Sequence, residues 1–174
     1  NSSFFCYNKS EKSCEEVKGV DKMVNKKSGE RCFFEYAFPV IRYCGHGDFT
    51  ENEISNFEKI LIFGEAPSRQ KLEELFPNAV KHLKSWSLEN VRDYWLRKHN
   101  EIVRDNPLCK VYLVEVSDVL PPKSKEVCIV KIGKNMGIEA GSYINLKVGD
   151  KVTIHAFQVA EKLSKRDIKK YFRE

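Results

Sequence analysis

The chain has 174 residues, 41% hydrophobic and 32% charged, with 30 Lys and Arg against 25 Asp and Glu for a net charge of +5. This is the make-up of a folded globular chain of one average domain or two small ones, since disorder would need fewer apolar and aromatic residues. No apolar run approaches the roughly 18 residues of a membrane span, and both signs of charge are interspersed, as on a solvated surface rather than a nucleic-acid footprint.

Residues 1–31 are polar and rich in Lys and Glu, with Val17, Val20 and Val24 spaced for a short helix and Lys26-Lys27-Ser28-Gly29 reading as a turn or mobile loop. The aromatic stretch from Cys32 to Phe49 carries Pro39, which argues against a helix there. Thr50-Glu-Asn-Glu53 is a capping box, and Ile54, Phe57 and Leu61 behind it form one stripe, predicting a helix over about 51–62 that stops at Gly64. Pro67-Ser68 opens a further helix bearing Leu72, Leu75 and Phe76, which Pro77 ends or restarts. Ser87 caps another, with Leu88, Val91, Trp95 and Ile102 in register to about Val103.

Beyond residue 108 the period becomes strand-like. Val111–Val116, Cys128–Ile132, Ser142–Leu146 and Val152–Phe157 read as strands punctuated by Gly133, Gly137, Gly141 and Gly149. Short strands with glycine turns predict a small barrel, because closure removes exposed edges. Ser164 caps a last helix with Ile168, Tyr171 and Phe172 on its apolar face. The expected architecture is α+β: a mainly helical part over 1–108, then a small β-barrel of the OB or HypC-like kind with a closing helix over 109–174.

Six cysteines occur, at 6, 14, 32, 44, 109 and 128, with no Cys-x-x-Cys pair. They read as reduced thiols in a cytoplasmic protein; sequons at Asn1 and Asn8 keep open a secreted chain with three disulfides. Cys44-Gly45-His46 sets a thiol beside an imidazole between glycines. Such a pair is either a metal half-site for iron or zinc, or an activated thiolate, or simply a Cys buried among aromatics. Cys128 and His155 lie in strand-like runs and read as core on periodicity alone, with one of Ile154 and His155 facing out. His82 and His99 fall on helix faces expected to be solvated. Phosphate-cradling, nucleophile-elbow and zinc-protease motifs are missing from the sequence.

Two resemblances add to this reading. Cys128-Ile-Val-Lys-Ile-Gly-Lys134, followed by Gly149-Asp-Lys-Val-Thr-Ile-His-Ala-Phe157, is similar to the start and end of HypC-type hydrogenase-maturation chaperones, with Ile132 in place of the family's proline and no glycine after the His. That resemblance implies a barrel in which Cys128 and His155 help carry an iron unit to a nickel–iron hydrogenase precursor. Phe34-Glu-Tyr-Ala-Phe-Pro39, Arg42-Tyr-Cys-Gly45 and Val91-Arg-Asp-Tyr-Trp-Leu96 resemble a bacterial family of unknown function found among hydrogenase genes. It implies a role for Tyr43, Cys44 and Gly45. Together the resemblances imply a non-catalytic accessory protein that binds a hydrogenase subunit or maturation factor. Two alternatives stand beside it: a nucleic-acid module using Lys162, Lys165, Arg166, Lys169 and Lys170, and a thiol enzyme using Cys44 and His46.

Overall fold

The computed structural model of the chain describes residues 27–44, 49–104, 106–121, 128–132 and 138–172. A helical part leads into a closed five-stranded barrel, and a final helix packs back on both, so the protein is α+β with a small barrel.

Helix α1 runs over Gly29–Cys44. It begins where a turn was expected: Ser28 Oγ accepts from Arg31 N, and a side chain at Gly29 would collide with the Trp86 carbonyl, its Cβ falling 1.8 Å from that oxygen. Pro39 sits inside this helix instead of ending it. The cost of the proline is offset by burial, since Phe33, Phe34, Tyr36, Ala37 and Phe38 are wholly enclosed. Helix α2 (Glu51–Phe63) has the capping box on Thr50 and Glu53, and stops at Gly64 with φ of 80°. Arg31 donates to the carbonyls of Ile60, Leu61 and Glu65, closing the last turn of α2 onto α1.

Helices α3 (Arg69–Leu75) and α4 (Pro77–Val80) flank Phe76, with Pro77 restarting the turn. Helix α5 (Leu88–Asp93), capped by Ser87, passes through a π-helical turn, Tyr94–Lys98, into α6 (His99–Ile102). Phe33 meets Phe76, Trp86 and Trp95 at ring distances of 5.2–5.8 Å, so α1 is the axis around which the other helices assemble.

The strands are β1 (Val111–Leu120), β2 (Cys128–Ile132), β3 (Ile138–Ser142), β4 (Lys151–His155) and β5 (Gln158–Lys162), closed in the order β1-β2-β3-β5-β4. Helix α7 (Lys165–Phe172) follows, with Ser164 Oγ accepting from Asp167 N. Three strand assignments differ from expectation. The third strand is Ile138–Ser142 and not Ser142–Leu146, because Ser142 Oγ exchanges hydrogen bonds with the Ile144 main chain and bends the chain away beyond it. The fourth ends at His155, and Ala156 and Phe157 turn the chain instead of continuing to pair. The segment after Phe157 forms β5, paired antiparallel with β4 and touching β3 at Gly141 and Gln158.

Val116, Val130, Ala140, Val152 and Val159 fill the barrel. The helical core runs continuously into the outside of the barrel, taking in Val111, Tyr143, Ala160 and Tyr171. The helical and barrel parts are thus joined through one apolar seam.

Candidate functional site

Two polar arrangements lie along that seam. In the first, Glu161 of β5 is 4% exposed and surrounded by cations. Arg92 donates to both its oxygens, at 2.6 and 3.2 Å, and to Asp167 of α7 at 2.9 Å. Lys27 Nζ donates to it at 2.8 Å, and Tyr36 Oη at 3.1 Å. Burial alone would raise the Glu161 pKa, but Lys27 and Arg92 outweigh it and hold the carboxyl below its ordinary value. Cys32 lies beside this carboxylate, and burial together with the Glu161 charge pushes its thiol well up. It is an inert core thiol.

The second arrangement is a ring cluster. His155 Nδ1 donates to the Tyr36 carbonyl at 2.6 Å, and His99 Nε2 donates to the Cys109 carbonyl at 2.8 Å. The two imidazoles lie 5.1 Å apart, and Trp95 packs on both at 4.7 and 5.4 Å. Burial lowers the pKa of both; His99, next to His155, falls to about 4. Both rings are therefore neutral at pH 7. Trp95 and His99 also floor a cleft of about 370 Å³ between α1, α4 and the π-helical turn.

His99 was expected on a solvated face, yet it is 9% exposed; His155 and Ile154 are both buried although alternation predicts one outside. Helix α1 packs on the outer face of β4 and encloses His155, while His99 is enclosed by Tyr94 and Trp95 of the π-helical turn and by His155 of β4.

The remaining sequence candidates are distributed as follows. Tyr43 lies on the last turn of α1, half-exposed, with its ring edge-on to Phe157 at 6.4 Å. Cys44 is the last residue of that helix, while Gly45 and His46 lie outside the described residues. Cys128 opens β2 opposite Ser142, on a strand that is not paired with the one carrying His155. Among the described residues no group of three or more His, Cys, Asp or Glu is placed to hold a metal. Of the basic residues near the C-terminus, Lys162 pairs with Asp150 and Lys170 with Glu89. No described helix is long and apolar enough to cross a membrane.

A larger concave feature than that cleft lies elsewhere, at the mouth of the barrel. A groove of about 600 Å³ is lined by Leu108, Tyr112, Val114, Ile138 and Ile154 together with Ala156 and Phe157. Val114, Ile138 and Ile154 also pack against the barrel core, so the groove is a continuation of that core into solvent. Its rim carries large apolar groups in the open: Leu108 is 55% exposed, Phe157 47% and Tyr112 41%.

One part of the groove lining is strained. Ala156 and Phe157 form the two-residue turn between β4 and β5, with φ of 45° and 63°. Such a turn favours Asn-Gly, because both central residues are left-handed. Here a side chain is kept at each position at a cost of about 1–2 kcal/mol per residue. The Phe157 carbonyl is held by Gly141 N at 3.1 Å. Strain of this kind collects where a fold presents side chains for use.

Sequence reasoning did not find this site. Its walls come from β1, β3 and the β4–β5 turn, and only the order of strands brings them together. The single local clue was an Ala-Phe pair where a tight hairpin asks for Asn-Gly. Comparison of the chain with family models, with curated proteins and with solved structures returns no match.

Proposed function

We propose that this protein is a non-catalytic accessory module that holds a protein partner through the apolar groove at the barrel mouth. The observation that carries the reading is the exposed rim of Leu108, Tyr112 and Phe157 around a cavity continuous with the core, lined in part by a turn that keeps Phe157 in place against its backbone preference. Grooves with large exposed apolar rims mark interaction surfaces. Tyr43, which the resemblance singled out, stands against the same Phe157.

The partner in this reading is a nickel–iron hydrogenase subunit precursor or a maturation factor, following the resemblance of residues 32–104 and 127–172, in a reducing cytoplasm where Cys32 and Cys109 remain free thiols. The test is capture of purified hydrogenase large-subunit precursor by the immobilised chain, alongside Tyr112→Asp and Phe157→Asp variants. Binding that falls at least about tenfold in both, equal to 1.4 kcal/mol, supports the reading. Equal capture by wild type and variants, or none by either, overturns it. Iron and zinc content of wild type and Cys44→Ser decides whether Cys44 and His46 also carry metal.

A further inference from the structure

The cleft floored by Trp95 and His99 is separate from the groove at the barrel mouth and has no part in the proposed partner contact. At about 370 Å³ it lies at the small end of the range of ligand pockets. Ala37 and Val40 of α1, Phe76 and Ala79 at α4, and Tyr94 of the π-helical turn give it apolar and aromatic walls. The one charged group among its lining residues is Lys81, which donates to the Asn78 side-chain oxygen at 3.1 Å. No carboxylate lines the cleft, so nothing there would hold a cation.

The π-helical turn supplies the polar groups. His99 N donates to the Tyr94 carbonyl five residues back, and the Trp95 and His99 rings on this wider turn pack at 4.7 Å. Turns of this kind recur at functional sites. His99 Nε2 donates to the Cys109 carbonyl at 2.8 Å. The neutral ring carries one proton, so Nδ1 is a bare acceptor. Among the described residues no group donates to it. Trp95 is the converse case: it is 2% exposed, and its Nε1–H is buried without an acceptor. A buried indole N–H ordinarily has one. The same wall of the cleft thus carries one unused acceptor and one unused donor, on rings in contact.

A hydroxyl meets both needs through a single oxygen, donating once and accepting once. A hydrocarbon leaves both unmade. The aromatic lining favours a ring over a flexible alkyl chain, through edge-on and offset contacts. From this pairing we infer that the cleft is a binding site for a small neutral phenol, whose hydroxyl donates to His99 Nδ1 and accepts from Trp95 Nε1 while its ring lies among Phe76, Tyr94 and Trp95. This site stands independently of the protein-binding reading.

The probes are para-cresol and para-fluorotoluene, in which fluorine replaces the hydroxyl at similar size and donates nothing. Each is titrated into the full nitrogen-labelled chain, and the ring signals of His99, Trp95 and Trp86 are followed by nuclear magnetic resonance. The expected result is binding of para-cresol at least about tenfold tighter than of para-fluorotoluene, the effect of roughly one hydrogen bond. The His99 Nδ1 and Trp95 Nε1 signals should move with it, and that of Trp86, which does not line the cleft, should move least. Val40→Phe fills the cleft from its half-buried wall position and should abolish this binding; if the variant does not fold, the two probes decide the matter in the unaltered chain. Para-fluorotoluene binding as tightly as para-cresol, with the His99 signal unmoved, overturns the inference and leaves an apolar cavity. So does movement of the Tyr112 and Phe157 signals alone, which would place the ring in the barrel groove, and so does absence of binding by either probe at about 1 mM. Capture of hydrogenase precursor is unaffected by any of these results.

Discussion

His155 Nδ1 donates to the main-chain carbonyl of Tyr36 at 2.6 Å, joining strand β4 to the middle of helix α1. Pro39 lies just beyond that carbonyl, and having no N–H it leaves the Glu35 carbonyl without its helical partner. The irregular turn of α1 is thus the place where the barrel makes its polar attachment. Replacing His155 by Phe keeps an aromatic of similar size against Trp95 but leaves the Tyr36 carbonyl buried without this donor. The expected loss is about 1–3 kcal/mol of unfolding free energy, the cost of an unmade buried hydrogen bond. Urea denaturation of the variant measures it; a loss below about 0.5 kcal/mol, the scatter of ordinary surface changes, would mean that the bond does not hold the two parts together.

The neighbouring His99 makes the fold sensitive to mild acid. Burial, and then the nearby His155, lower its pKa from 6.5 to about 4. Between those values the unfolded ring is protonated and the folded ring is not, so the unfolded state binds more protons. Stability therefore falls as the pH drops from 6.5 towards 4 and is unaffected by this ring above 6.5. A shift of this size corresponds to about 3 kcal/mol over the whole window. His155, whose pKa is also lowered by burial, acts in the same direction. Unfolding free energies measured at a series of pH values should show this slope, and His99→Phe should flatten it. An unchanged slope in that variant would assign the acid sensitivity to other groups.

Arg92 joins three elements at once, reaching from α5 to Glu161 on β5 and Asp167 on α7. Its removal takes two charge-assisted bonds from a carboxylate that is 4% exposed and leaves Lys27 and Tyr36 to hold it, so the cost stays below the roughly 3–5 kcal/mol of a buried charge left wholly unpaired. Arg92→Met is expected to lose about 1–3 kcal/mol in chemical denaturation, the cost of charge-assisted bonds left unmade. Adding Glu161→Gln to it should recover part of that loss, because the buried charge that lost two of its bonds is gone. Additive losses in the double variant would show that the two side chains do not act as a pair.

The elements legible in the sequence were those with local signals. The capping box at Thr50, the Ser87 cap and the Pro77 restart each fix a helix end through atoms a few residues apart, and all three stand as read. The barrel was legible from its strand period and glycines. What escaped was set by tertiary contact. Pro39 inside α1 is tolerated because an aromatic core closes around that helix, which no local rule shows. His99 looked solvent-facing until a π-helical turn and β4 enclosed it, and β5 was missed because Gln158 to Lys162 mixes polar and apolar residues, with Gln158 and Glu161 both buried. The groove depends on which strand stands beside which, and strand order is not written in any short segment.

The turn at Ala156-Phe157 allows strain to be separated from binding. Truncating Phe157 to Ala removes the ring but keeps a Cβ at φ of 63°, whereas truncation to Gly removes both the ring and the strain. At an ordinary position Gly is the less stable of the two, through the entropy of the unfolded chain. Here relief of the left-handed backbone is worth about 1–2 kcal/mol against that entropic cost, so Phe157→Gly should be the more stable variant by about 0.5–1 kcal/mol. Thermal unfolding should place its midpoint a few degrees higher, as expected of about 1 kcal/mol in a domain of this size. Both variants should lose groove binding equally, since each lacks the ring that lines the groove beside Tyr43. If Gly proves the less stable, the turn stores no strain and its unusual sequence needs another cause. If both variants bind the partner as the wild type does, Phe157 is not part of the contact.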